Sequence, residues 1–346
     1  MKNLQEATER ICELKGGLVA LDALMPALIE SLDPASLARL AASFDAYAEA
    51  ARTVMLHAEI SDLVLAAFEH DVARHRAVLR GSAGQPRPAP AGAVDALLLA
   101  TTRVATFTGE RALSSASGFF FRRGERLFLV SSRHVFVDAA SAHHPDRLEI
   151  TLHTDAADLA RYAVVSLPLF EGGLSQWRDA LDGGGEVDVA AIEVDTALLP
   201  AGTWLQAFDE SHLQAQDEDV AVGDALTIPG YPLGFQDTVH QLAVARSASI
   251  ASAYGVRFQR QGLFLTDART HRGSSGSPVV RRRRHGTAAA LASWQLLGVH
   301  STRMDMRTRD EHEDESLGLN CAWYADVLLA LTGERQAPPA GTALSS

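Results

Sequence analysis

The sequence predicts a mainly β protein preceded by a small α-helical bundle, and three observations lead there. Apolar residues recur at helical spacing through the first eighty positions. A stretch rich in Pro and Gly follows. Beyond it come many short apolar runs bounded by turn residues, with no helices alternating between them. Short strands in that arrangement indicate an antiparallel barrel or sandwich rather than a parallel sheet.

In the N-terminal part, Ile11, Leu14, Leu18, Leu21, Met25, Leu28 and Leu32 lie at spacings of three and four, one face of a helix. Gly16-Gly17 and Pro26 divide that face between two shorter helices. Asp33-Pro34 is a start signal, a side-chain acceptor followed by a residue that needs no N–H. An Ala-rich helix is expected from there to about His57, and Ser61-Asp62 caps another that runs to about Leu79. Residues 1–80 therefore read as a small bundle of three or four helices, with no concentration of catalytic residue types. Residues 81–92, GSAGQPRPAPAG, read as a semi-rigid linker, 93–335 as a second domain, and 336–346 as a flexible tail.

Within the second domain, Gly118–Phe121 and Leu127–Val130 flank a polar turn and predict a hairpin. Further strands are expected at Leu148–Thr154, Val187–Val194, Leu226–Ile228, Val239–Ala243, Leu263–Thr266, Ser277–Val280 and Leu296–His300, with a closing helix over Trp323–Leu331. Arg281–Arg284 reads as a surface hairpin loop, and Asp310–Glu315 as a solvated acidic loop.

Composition bounds the function. The chain has 346 residues, 47% apolar and 21% charged, which fits a folded protein of two or three compact units. It has no run of eighteen apolar residues, so no membrane partner is expected. The 31 basic and 43 acidic residues leave a net charge of -12, a sign that repels nucleic acid. The opening MKNLQEATERICELKGG carries three glutamates where a secretory signal needs a basic end and an apolar centre. Two distant cysteines, Cys12 and Cys321, make no disulfide framework, and a cytoplasmic location is expected. No cofactor or metal is expected either. His143-His144 and the acidic loop lack ligands at a recognisable spacing.

Three local patterns carry chemistry. Leu129-Val130-Ser131-Ser132-Arg133-His134 places a histidine just after an apolar strand. Val187-Asp188-Val189-Ala190-Ala191-Ile192 sets one aspartate inside an apolar strand. Gly273-Ser274-Ser275-Gly276-Ser277-Pro278 flanks a serine with glycines in a tight turn. Each alone has an ordinary structural reading; together they supply what one reaction needs. A serine hydroxyl is a poor nucleophile until a base takes its proton. Histidine holds a proton near neutral pH, and an aspartate fixes its tautomer and stabilises the imidazolium. Glycines let the N–H groups of Gly273 and Ser275 converge on a developing oxyanion.

The set resembles the chymotrypsin-like (trypsin-fold) serine peptidases, in the bacterial branch whose serine motif reads G-x-S-G-S-P. The resemblance spans roughly residues 95–335, including Gly230-Tyr231-Pro232. It implies a double β-barrel with His134 as general base, Asp188 as orienting acid, Ser275 as nucleophile, and Gly273 with Ser275 as oxyanion hole. Two departures stand out. Ser274 occupies the place where trypsin-like zymogens carry an aspartate that pairs with a freed N-terminus, and Val135 replaces the usual half-cystine beside the histidine. The expected function is a cytoplasmic serine endopeptidase acting on polypeptides. A non-catalytic peptide-binding scaffold and an esterase are the rival readings.

In this family the substrate pocket lies between the segment before the nucleophile and the strand Gly298-Val299-His300-Ser301. Thr270 and His300 resemble the pair that glutamyl endopeptidases use, which implies cleavage after Glu, Asp or Gln; Ser301 completes the expected substrate-binding set. Similar bacterial proteins join a helical adaptor to such a peptidase in conflict or cell-death systems. The resemblance thus implies a protein partner for residues 1–80.

Overall fold

The alternation of apolar and polar positions along each strand decides which core it faces, and a run apolar at every position must face two. The computed structural model describes residues 32–56, 62–82, 90–214, 219–283, 290–307 and 314–334. The helices expected before Leu32, most of the linker, the tail and Asp310–Glu313 lie outside the described residues. Two compact units divide the chain, residues 1–87 and 88–346.

In the first unit, α1 spans Pro34–Leu56 and α2 spans Asp62–Ser82. Asp33 caps α1, its Oδ1 accepting from the N–H groups of Ala35 and Ser36 at 3.0 Å each. Leu37 and Leu79 are buried between the helices, with Leu40, Ala41 and Phe44 packed around them. Arg52 grips Glu69 through Nε (2.5 Å) and Nη2 (2.6 Å), and Arg76 meets Asp45 at 2.5 Å. Among the described residues no helix is long and apolar enough to cross a membrane.

The second unit is mainly β. Its strands are β1 Thr101–Thr108, β2 Arg111–Arg123, β3 Arg126–Ser131, β4 Arg147–His153, β5 Tyr162–Pro168, β6 Phe170–Glu171, β7 Leu174–Ser175, β8 Trp177–Asp182 and β9 Gly185–Val194. The second half continues with β10 Ala225–Gly230, β11 Val244–Ser249, β12 Leu263–Thr266, β13 Pro278–Arg282, β14 Trp294–Arg307 and β15 Asp314–Tyr324. Short helices α3 (Ala96–Leu99), α4 (Arg133–Phe136) and α5 (Val327–Leu331) lie before β1, after β3 and after β15. One sheet orders its strands β5-β4-β1-β2-β3-β9-β8, the other β11-β10-β13-β14-β15-β12. A bridge between Ile250 and Thr266 brings the edges of the second sheet together.

Each sheet encloses its own core, and a third core fills the seam between them. Phe120, Leu127, Leu129, Leu148 and Ile150 fill the first; Ile228, Phe264, Val279 and Leu297 fill the second. Phe119, Phe121, Phe128 and Val130 point the opposite way and meet Leu263, Leu265, Val280, Val299 and Trp323 in the seam. The Phe119-Phe120-Phe121 run is apolar at every position because β2 is buried on both faces.

Four expectations are corrected. Asp314 and Glu315, read as part of an acidic loop, begin β15 and pair with Arg307 and Met306 of β14. Val239–Ala243 is no strand: Asp237 accepts from the N–H groups of Val239 (2.9 Å) and His240 (3.3 Å), and these local bonds make a turn. The strand begins five residues later, as β11. Trp323 and Tyr324 are not helical but end β15, where Trp323 pairs with Leu263 and Val299; only Val327–Leu331 forms the helix. Arg281 and Arg282 belong to β13 rather than to a solvated loop. Arg281 Nη1 donates to Asp224 Oδ2 at 2.6 Å, Arg282 lies 4.4 Å from the Trp294 ring centre, and Arg283 donates to the Ser211 carbonyl at 2.6 Å. The run clasps its own domain; Arg284 lies outside the described residues.

Phe119 is fully buried in the seam and meets Phe208 edge-on at 5.7 Å. Phe119→Ala should therefore lower the unfolding free energy by about 3–5 kcal/mol in a denaturant titration. A loss below about 1 kcal/mol would contradict the seam's role as the main core.

Candidate active site

The last residues of β3 and the turn into α4 carry small polar side chains, and these let the first sheet approach the second closely. Ser132 Oγ–H donates to the His300 carbonyl at 3.1 Å, and Ser131 Oγ–H donates to the Ser117 carbonyl at 2.7 Å. His134 follows on α4.

Asp188 lies on β9, between Val187 and Val189, which are buried in the seam. Its Oδ1 accepts the backbone N–H of His134 at 2.9 Å, and its Oδ2 lies 2.8 Å from His134 Nδ1. A carboxylate only accepts, so Nδ1 carries the proton and Nε2 is left as the basic nitrogen. Ser301 Oγ–H also donates to Asp188 Oδ2. Burial pulls the His134 pKa down, but the hydrogen bond and charge of Asp188, helped by Asp138, outweigh it and hold the value above the ordinary 6.5. The stabilisation from this pairing is full below pH 6.5 and is lost as the pH rises through the raised value.

Ser275 stands on the turn before β13. Its Oγ–H donates to the Ser301 carbonyl at 3.0 Å, so Ser301 links it to the Asp188–His134 pair. Among the described residues no hydrogen bond joins Ser275 Oγ to His134 Nε2. Such contacts are often open before substrate binds. In the same turn, Ser274 N–H donates to His271 O (3.1 Å), Gly276 N–H to His300 O (2.8 Å) and Ser277 N–H to Ser274 O (3.1 Å). The N–H groups of Gly273 and Ser275 have no acceptor among the described residues. Gly273 has φ +88, and a Cβ there would stand 2.6 Å from the Tyr231 carbonyl oxygen, so only glycine fits. Gly276, at φ +83, would press a Cβ to 2.1 Å from Ser131 Oγ.

The residues expected to read the substrate are buried: Thr270 is 5%, His300 2% and Ser301 3% exposed. Thr270 Oγ1–H donates to Asn320 Oδ1 at 2.5 Å, and Asn320 Nδ2 donates to the Ala268 carbonyl at 2.5 Å. Asn320, on β15, is silent in the sequence, because an isolated Asn in a strand carries no signal of the partner it meets. Burial first, and the neighbouring His134 second, lower the His300 pKa to about 4, so its ring is neutral at pH 7. Its Nδ1 is buried with no hydrogen-bond partner among the described residues. Ser301, also in the expected substrate-binding set, donates its hydroxyl to Asp188 Oδ2.

Two antiparallel β sheets packed on a common seam, with a His–Asp pair on one side and a Gly-flanked serine on the other, define the trypsin-like architecture. Residues 116–289, just over half of the chain, match the family described as trypsin-like peptidase domain, and the chain belongs to that family. None of the curated proteins matches it. Among solved structures it is similar to the serine endoprotease from Yersinia pestis, at 14% identity and a TM-score of 0.40. That likeness covers 71% of this chain and spans 66% of the length of the other.

An NMR titration of His134 should give a pKa above 6.5, falling in Asp188→Asn because burial then acts without the paired carboxylate. An unchanged value in the variant would contradict the pairing.

Proposed function

We propose that the chain is a serine endopeptidase in which Ser275 attacks, His134 relays the proton, and Asp188 orients the imidazole. The reading is supported above all by one observation: two N–H groups without acceptors among the described residues, at Gly273 and Ser275, flank the serine on its own loop. On substrate binding, Ser275 Oγ leaves the Ser301 carbonyl for His134 Nε2 and attacks the scissile carbonyl carbon as its proton passes to that nitrogen. The carbonyl oxygen gains charge and is held by the two N–H groups, each such donor contributing about 10²–10³ in rate. The imidazolium then protonates the leaving amine, and water hydrolyses the acyl-enzyme by the same route.

The proposed substrates are polypeptides cut after Glu, Asp or Gln. The neutral, buried His300 supports this, since an imidazole N–H offers a donor to a side-chain oxygen of either a carboxylate or an amide. Thr270 joins it only if its hydroxyl turns from Asn320 to the substrate. We further propose a cytoplasmic enzyme divided into a helical module (1–80), a linker (81–92), a peptidase domain (93–335) and a tail (336–346). The module recruits a protein partner, in a bacterial defence or cell-death setting, as the family resemblance implies. The orientation of Ser275 Oγ toward Ser301 favours a scaffold as the second reading, which chemical labelling separates from the first.

An organophosphonate probe should label the wild type at Ser275, and Ser275→Ala should abolish labelling. Labelling at Ser274 or Ser277 would overturn the assignment, and none in the wild type would favour the scaffold. In a peptide library the cleaved position should favour Glu, Asp or Gln, and His300→Ala should relax that preference. A wild-type preference for Arg or Leu would contradict it.

A further inference from the structure

A family that positions its oxyanion loop with a buried ion pair needs a charge beside the nucleophile, and here that place holds Ser274, 4% exposed and uncharged. The loop is nevertheless fixed from the other sheet. Ser117, on β2, is fully buried. Its backbone N–H donates to the Ser275 carbonyl at 2.9 Å, and its Oγ–H donates to the Gly273 carbonyl at 2.8 Å. One residue therefore holds the carbonyls of both residues whose N–H groups have no acceptor among the described residues.

The grip continues on both sides. Ser117 Oγ accepts the N–H of Tyr231 at 2.9 Å, and the Ser117 carbonyl accepts Ser131 Oγ–H at 2.7 Å. The N–H of Leu233, two residues after Tyr231, donates to the Arg272 carbonyl at 2.6 Å. In a planar trans peptide the N–H points opposite to the carbonyl. Binding the Arg272 carbonyl toward Leu233 thus turns the Gly273 N–H the other way, and binding the Gly273 carbonyl fixes the next peptide plane. Gly273 sits between two held planes. The positive φ this requires stays accessible only to glycine.

We propose that Ser117 is the positioning residue of the oxyanion loop, its hydroxyl doing with neutral hydrogen bonds what an ion pair does in zymogen-activated relatives. This rests on the peptidase reading above. The loop is then set by folding of the two sheets against each other and needs no freed N-terminus. The hydroxyl acts through Gly273 and does not touch the substrate.

The test compares the full-length wild type with Ser117→Ala and Ser117→Cys, the second keeping a weaker donor of similar shape. Ser117→Ala should lower kcat by about tenfold or more while KM stays within about twofold, because the hole acts in the transition state. Affinity for a peptide aldehyde, whose hemiacetal oxygen enters the hole, should fall by a similar factor, and affinity for the cleaved product peptide should not. Ser117→Cys should fall between the two. Unchanged kcat, or equal losses in kcat and product affinity, would overturn the proposal. Hydrogen exchange supplies an arm independent of turnover: amides in 271–277 should exchange at least about tenfold faster in Ser117→Ala, and unchanged protection would also overturn it. If the wild type shows no turnover that Ser275→Ala removes, the peptidase reading fails, and the exchange arm alone decides whether Ser117 holds the loop.

Discussion

The site depends on one carboxylate that collects donors from both sheets. Asp188 accepts the backbone N–H and the ring Nδ1 of His134 from the first sheet's side of the seam, and the hydroxyl of Ser301 from β14 of the second. Hydrogen bonds to an ionised acceptor are stronger than neutral ones, so the three together tie imidazole orientation to the packing of the two halves. A small slide of one sheet on the other would break the Ser301 contact and misalign the serine that hangs from the same residue's carbonyl. Fold and site are therefore a single constraint viewed at two scales.

Around that carboxylate the seam narrows to small polar side chains. Ser117, Ser131 and Ser132 each make a hydrogen bond that reaches the other sheet or the strand beside it, and Gly276 lets the backbone pass where a Cβ would collide with Ser131 Oγ. Larger side chains there would hold the sheets apart; apolar ones would leave the loop carbonyls without donors. The seam is apolar and aromatic in its core, with Phe119, Phe121, Phe128 and Trp323, and hydroxylic where the serine turn docks.

Much of this was legible in the residues because some signals are local. The helix cap at Asp33, the apolar run at Phe119–Phe121 and the strands carrying Asp188 and preceding His134 are each written within a few positions. What was not legible is set by distant partners. Asp237 draws nearby N–H groups into a turn and delays β11. Trp323 extends β15 because β12 and β14 lie on either side of it, which no local pattern announces. Arg281 reads as solvated until Asp224 and Gln295 are found beside it. Ser117 and Asn320 are ordinary polar residues in strands, and their partners lie 156 and 50 positions away in the chain.

A crystal structure of the protein reacted with a peptidyl boronate would decide whether Ser275 and its two flanking N–H groups form one reactive centre. A boron–oxygen bond to Ser275 Oγ is expected, with that oxygen moved off the Ser301 carbonyl. One boronate oxygen should then lie within hydrogen-bond reach of the Gly273 and Ser275 N–H groups while His134 keeps its bond to Asp188. An adduct on another serine, or a boronate oxygen turned away from those two N–H groups, would contradict it.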